Sequence, residues 1–145
     1  MEKLNSSFFI LLFFLMTQNA QAQDLKKNQW ENRLLLLISN NSQNENFRKQ
    51  ISELKANQEG LKERKLVVYQ IFPKEYKMAL NTQNELISSK LYSYHNPENS
   101  PFKVILIGLD GGVKLERPNF LSCKTLFGTI DSMPMRQNEL RRKVH

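Results

Sequence analysis

The sequence predicts a mixed α/β domain: one sheet of about four strands flanked by helices, in the order β-α-β-α-β-β-α. Three observations carry that expectation. Short apolar runs bounded by turn residues recur along the chain, and each is too brief for a buried helix. Between them, apolar residues recur at helical spacing behind side chains suited to capping. After the third run comes Asp110-Gly111-Gly112, a hairpin signal, because glycine accepts the positive φ that tight turns require.

The elements follow in order. Asp24 to Glu31 is a polar lead-in anchored by Trp30. Arg33 to Ser39 holds Leu34-Leu35-Leu36-Leu37-Ile38, the continuous pattern of a strand buried on both faces, and Asn40-Asn41-Ser42 ends it. Ser42 and Glu45 form a capping box for a helix whose apolar face is Phe47, Ile51 and Leu54, with Gly60 as its stop. Leu66 to Phe72 is a second strand, rich in β-branched and aromatic residues and ended by Pro73. Lys74 to Asn81 is ambiguous. Thr82 and Glu85 repeat the capping box before a helix through Leu86, Ile87, Leu91 and Tyr94. His95 to Pro101 is a loop, Phe102 to Leu109 a third strand, and Val113 to Leu115 a short fourth. A last helix is expected from about Ser122 to Ser132, punctuated by Met133-Pro134 and followed by a basic tail. Helical crossovers bring strands parallel, and the Asp-Gly-Gly hairpin makes the final pair antiparallel. This is the order of a thioredoxin-type core. In that fold the proline before the third strand is usually cis, so a cis Ser100–Pro101 bond is a testable expectation.

Residues 1–22 read as a secretory signal peptide, which leaves 23–145 as the domain. Phe8 to Met16 is an unbroken apolar run, too short for the ~20 residues of a membrane-spanning helix. Ala20-Gln21-Ala22 supplies a small-x-small cleavage site before Gln23. Glu2 and Lys3 cancel, so cleavage leaves the net charge at +7. The expectation is an exported protein, periplasmic or secreted, with no transmembrane anchor after cleavage. One cysteine precludes an internal disulfide or a Cys-rich zinc site, and the two histidines, His95 and His145, stand far apart. No metal and no cofactor are called for.

Several motifs go further. They are Trp30-x-x-Arg33-Leu34-Leu35-Leu36, Glu63-Arg64-Lys65-Leu66, Val104-Ile105-Leu106-Ile107-Gly108, Asp110-Gly111-Gly112-Val113-Lys114 and Ile130-Asp131-x-Met133-Pro134-Met135-Arg136. In these the chain resembles a thioredoxin-like (peroxiredoxin-like) domain of unknown function found alone in exported bacterial proteins. Related domains occur in animal extracellular-matrix proteins of the sushi-repeat type. The resemblance spans Trp30 to about Leu140, and its last two motifs are the most specific. It implies a fold related to peroxiredoxins and no established reaction.

Candidate chemistry is sparse. A thioredoxin-type enzyme sets its reactive thiol where the first strand enters the first helix, whose N-terminus lowers the thiol pKa. Here that place reads Asn40-Asn41-Ser42, a vestigial active-site loop that Pro101 would flank, and no Cys-x-x-Cys occurs. Cys123 is the lone thiol, with Lys124 and a helix start beside it to acidify it. It would need an external thiol to act as an oxidoreductase, and a small semi-buried residue is its structural reading. Asp131, Met133, Met135 and Arg136 are candidates for binding, as a recognition surface with adaptable methionines, or for structure, as an ion pair that fixes the break at Pro134. The Asp-Gly-Gly turn lacks the residues that would complete a phosphate or calcium loop. The sequence therefore favours a noncatalytic binding or interaction domain over an atypical thiol oxidoreductase. An exported protein or an anionic envelope polymer fits as partner. Export and scattered aromatics disfavour nucleic acid.

Overall fold

The computed structural model describes residues 25–80 and 87–144. The signal peptide and the Thr82, Glu85 and Leu86 portion of the expected helix lie outside these residues. Strand β1 (Arg33–Ser39) is buried along its whole length, as its unbroken apolar run requires. Helices α1 (Glu45–Ala56) and α2 (Gln58–Glu63) lead to β2 (Leu66–Ile71), which lies parallel to β1 with Arg33 opposite Leu66. Strands β3 (Glu75–Met78) and β4 (Ile87–Ser88) extend the sheet beyond β2, each antiparallel to its neighbour. Helix α3 (Leu91–His95) precedes β5 (Phe102–Ile107), antiparallel to β1 with Leu34 opposite Ile107. Strand β6 (Val113–Arg117) returns beside β5, and α4 (Cys123–Asp131) and α5 (Pro134–Lys143) close the described chain. The sheet order is β4-β3-β2-β1-β5-β6.

The fold is a mixed α/β sheet flanked by helices, consistent with a thioredoxin-like architecture. Six strands replace the expected four or so. The extra pair arises at Pro73, which does more than end β2. Phe72 and Glu75 exchange backbone hydrogen bonds at 2.8 and 3.3 Å, and the chain doubles back into β3. Ile87 joins this edge opposite Tyr76, so it belongs to a strand rather than to a helix. Among the described residues the route from β2 to β5 is thus a hairpin extension plus a five-residue helix. It is not a plain helical crossover, and β5 runs against β1. The Ser100–Pro101 bond is trans, as are all peptide bonds among the described residues.

Three helix boundaries also move. Asn44, not Ser42, caps α1, its side chain accepting from the Phe47 amide at 3.1 Å. The basic tail is itself helical: Pro134 occupies the first turn of α5, where its missing N–H costs nothing. Gly60 does not stop a helix but lies within α2, where the reason for glycine is space. A Cβ there would meet the Phe127 ring of α4 at 2.5–2.6 Å. The Asp-Gly-Gly hairpin stands as expected, with Gly111 at φ +80° and the Asp110 carboxylate accepting from the Gly112 amide at 3.0 Å.

Gly60→Ala sets two effects against each other. Helix propensity favours alanine by ~1 kcal/mol, while overpacking against an aromatic ring costs ~1–3 kcal/mol. The collision should win, lowering the urea midpoint. In the Phe127→Leu background the same substitution should be neutral or stabilising. A stabilising Gly60→Ala in the wild-type background would show that the ring moves aside freely.

Candidate functional site

The C-terminal ends of β1 and β2 are where a doubly covered sheet presents ligand-binding loops. Here the Asn40-Asn41-Ser42 loop leaves β1, and the structure brings Pro101 against it. The Asn40 amide donates to the Pro101 carbonyl at 3.1 Å, and the Ser39 hydroxyl donates to the Asn41 carbonyl at 2.8 Å. The Asn41 side chain accepts from the Gln43 amide at 2.8 Å, a local turn that holds the loop open ahead of α1. Beside it is a cleft of about 450 Å³. Asn40, Asn41 and Ser42 form one wall, and Lys74 and Lys77 of the β2–β3 turn and β3 form the other. The apolar part of the lining includes Phe47 and Phe72, packed edge to face at 5.2 Å. Among the described residues no histidine and no cysteine lines this cleft, so none of them sets an imidazole beside Ser42 to activate its hydroxyl. The two lysines came from the ambiguous stretch of sequence, and only the turn at Pro73 could have pointed to them.

Cys123 lies elsewhere. It is the first residue of α4, only 3% exposed and packed in the core cluster with Phe47, Leu54 and Leu121. Helix α1 holds the start of α4 through two side chains. Gln50, fully buried, accepts from the Leu121 amide and donates to the Leu121 carbonyl, both at 2.8 Å. Glu53 accepts from the Cys123 amide at 2.9 Å. The effect that Lys124 and the helix start would have on this thiol is reversed. Burial pushes it up, and the Glu53 carboxylate beside it pushes it further, to about 11, with Arg64 offsetting only part. The positive helix end that would have favoured a thiolate is already used by Glu53.

The third group is ionic. Arg136 is 1% exposed. Its Nε donates to Asp131 Oδ1 at 3.1 Å, and its terminal nitrogens reach Glu63 Oε1 at 2.7 Å and Glu139 Oε2 at 3.2 Å. Glu139 also accepts from Arg33 at 3.0 Å, and Arg64 donates to Asp131 Oδ2 at 2.5 Å. Arg33, also 1% exposed, donates in addition to the Arg64 carbonyl at 2.9 Å. Three of the five sequence motifs thus converge through Arg33, Glu63, Arg64, Asp131 and Arg136. Glu139 was missed, although it lies one helical turn after Arg136. Of the four binding candidates, Asp131 and Arg136 are engaged here and Met133 packs against the core. Met135 is the exposed one. The Asp131–Arg136 pair bridges the end of α4 to the start of α5, on either side of Pro134. Among the described residues no group of three or more His, Cys, Asp or Glu could hold a metal ion, and no helix is long and apolar enough to cross a membrane.

Fold and site together define a mixed α/β domain, consistent with a thioredoxin-like architecture, whose β1 exit loop carries amides and a hydroxyl and no thiol. Residues 24–139 match the family described as domain of unknown function (DUF4174), and the chain belongs to that family. No curated protein and no solved structure matches it.

The ion cluster titrates in a defined direction. Burial pushes the Asp131 carboxyl up, but hydrogen bonds from Arg64 and Arg136 outweigh it and hold the group below its ordinary 3.8. Glu139 is likewise desolvated, yet Arg33 and Arg136 hold it below 4.5. Lowered folded-state values mean that stability is gained above the ordinary carboxylate range and lost as pH falls through the folded values. Urea midpoints followed from about pH 6 to about pH 3 should fall more steeply for the wild type than for Asp131→Asn/Glu139→Gln. Equal slopes would count against the cluster. At neutral pH, Arg136→Met should cost ~3 kcal/mol, because it strands the carboxylates around the lost guanidinium.

Proposed function

We propose that this chain is an exported, noncatalytic binding module built on a peroxiredoxin-related scaffold. One observation carries the reading: the single thiol is sealed under α1, while the strand-end loop opens onto a cleft with no thiol in it. Thiol exchange needs an accessible thiolate. Moving the pKa from 9.0 to about 11 leaves about a hundredth of the thiolate an ordinary cysteine would have at neutral pH. The cleft offers amide donors, a hydroxyl and two ammonium groups against one carboxylate, Glu75, and this cationic excess suits a polar, negatively charged partner surface. An acidic exported protein is the partner this chemistry favours.

Two measurements test the reading. Cys123 in the native protein should resist a thiol reagent near pH 8 and react fully once unfolded. Rapid native labelling would return the protein to the oxidoreductase reading, with Cys123 acting on an external thiol. Second, Lys74→Glu/Lys77→Glu should lose proteins captured from an exported fraction by the wild type, and wild-type capture should weaken steeply with salt. Capture of an anionic envelope polymer instead would change the partner and keep the cleft. Identical capture by both forms would retire the cleft.

A further inference from the structure

The two faces of the sheet are covered unequally. Helices α1, α2 and α4 lie over one face, where Leu35, Leu37, Val104 and Leu106 point into a core shared with Leu54, Leu61 and Leu126. The other face carries Leu34, Leu36, Ile105 and Ile107, and its described cover is short: the five residues of α3 and the turn that begins at Leu25. These two pieces leave a cavity between them of about 490 Å³. Leu34 and Ile107, neighbours across the β1–β5 ladder, contribute sheet residues to its lining. Leu25 and Leu91 contribute the apolar part of the cover. The cavity volume falls in the ~300–1,000 Å³ range of small-molecule sites.

The polar groups lining it are unevenly paired. Asp110 lines the cavity, but its carboxylate is held by Lys114 at 2.6 Å. Lys26 also lines it and is exposed, and among the described residues its ammonium has no ion-pair partner. His95 lines it too. Burial, followed by the positive charge of Lys103, lowers its pKa, so near neutral pH its ring is an uncharged imidazole with an N–H to donate. One cation without an ion-pair partner among the described residues, a neutral donor and an apolar wall in the same cavity complement one negative charge on an apolar body. Lys90 also lines the cavity but is already engaged, and the Asn28, Gln29 and Asn32 amides donate within the protein at 3.0, 3.0 and 3.5 Å, so fewer free donors remain than a phosphate dianion would call for.

We propose that this cavity binds a small amphiphilic carboxylate, its hydrocarbon part against Leu34, Leu91 and Ile107 and its carboxylate at Lys26 and His95. The site is distinct from the Asn40–Ser42 cleft and does not depend on it.

The test uses the chain from Gln23 onward and calorimetric titration with three ten-carbon probes: decanoate, decanol and decyltrimethylammonium. Decanoate should bind, decanol should bind about twofold to fivefold more weakly because one exposed charge pair is lost, and the cation should not bind. Ser93→Trp places a large side chain on an exposed lining position and should abolish decanoate binding. Lys26→Glu, on an exposed turn, should reduce decanoate to the level of decanol or below, and it carries the test if Ser93→Trp fails to fold. Lys74→Glu/Lys77→Glu should leave decanoate binding unchanged. The proposal is overturned if none of the probes binds or if decanol matches decanoate. It is overturned equally if a Ser93→Trp protein with the wild-type unfolding temperature binds decanoate as before.

Discussion

The structure depends on the complete burial of β1. A strand with neighbours on both sides and cover on both faces has no access to water, so each of its seven residues must be matched from within the protein. For Leu34 to Ile38 the match is apolar packing on alternating faces. Arg33 is the exception, because its guanidinium is desolvated along with the rest. Glu139 supplies the counter-charge, and it stands on α5, more than a hundred residues away in sequence. The C-terminal helix is thus tied to the first strand by an electrostatic requirement. It has little apolar face of its own, and Arg136 is its one buried residue. A buried ion pair adds little net stability compared with apolar residues of the same shape, but losing one partner is costly. Its effect is to fix where α5 sits. The Nε atoms of Arg33 and Arg64 stay buried without hydrogen-bond partners, which takes back part of the gain.

Much of this was legible along the chain. Leu34 to Ile38 reads as a doubly buried strand because no other element tolerates so short and unbroken an apolar run, and β1 has the expected bounds. Asp110-Gly111-Gly112 reads as a hairpin because its backbone requirement is local. What failed was decided at long range. Nothing near Gly60 shows that Phe127 will press on it, so its glycine reads as a helix stop. Ser42 and Asn44 are both competent caps, and the choice of Asn44 comes with a loop also tied to the Pro101 carbonyl. The polar stretch after Pro134 has no apolar stripe, so it reads as a tail, although its partners are charges presented by other elements. Arg33 was the missed clue: a charge opening a buried run must be paired, and the only open question was with what.

The site follows the same logic. The helix N-terminus of α4 could have lowered the Cys123 pKa, and Lys124 stands next in sequence. Glu53 takes the amide instead and sets a negative charge against the sulfur. Burial raises the thiol pKa first, and the side chain that anchors α4 to α1 raises it further. Anchoring and acidification compete for the same N–H groups, and here anchoring wins.

Cys123 stands well away from the strand-end loop. Its sulfur faces the Glu53 carbonyl on α1, nine residues beyond the Asn44 cap at the mouth of the strand-end loop. At ~1.5 Å per residue that is about 13 Å along the helix, far more than any side-chain rotation spans. Carrying the thiol to the loop would require α4 to slide along α1, breaking both Gln50 bonds to Leu121 and the Glu53 bond to the Cys123 amide. It would also pull Leu126 and Ile130 out of the core they fill. Each of those losses is a separate cost, and no contact at the loop is in place to offset them. The absence of sulfur from the loop is thus a property of how the helices are packed as well as of which residues the loop contains.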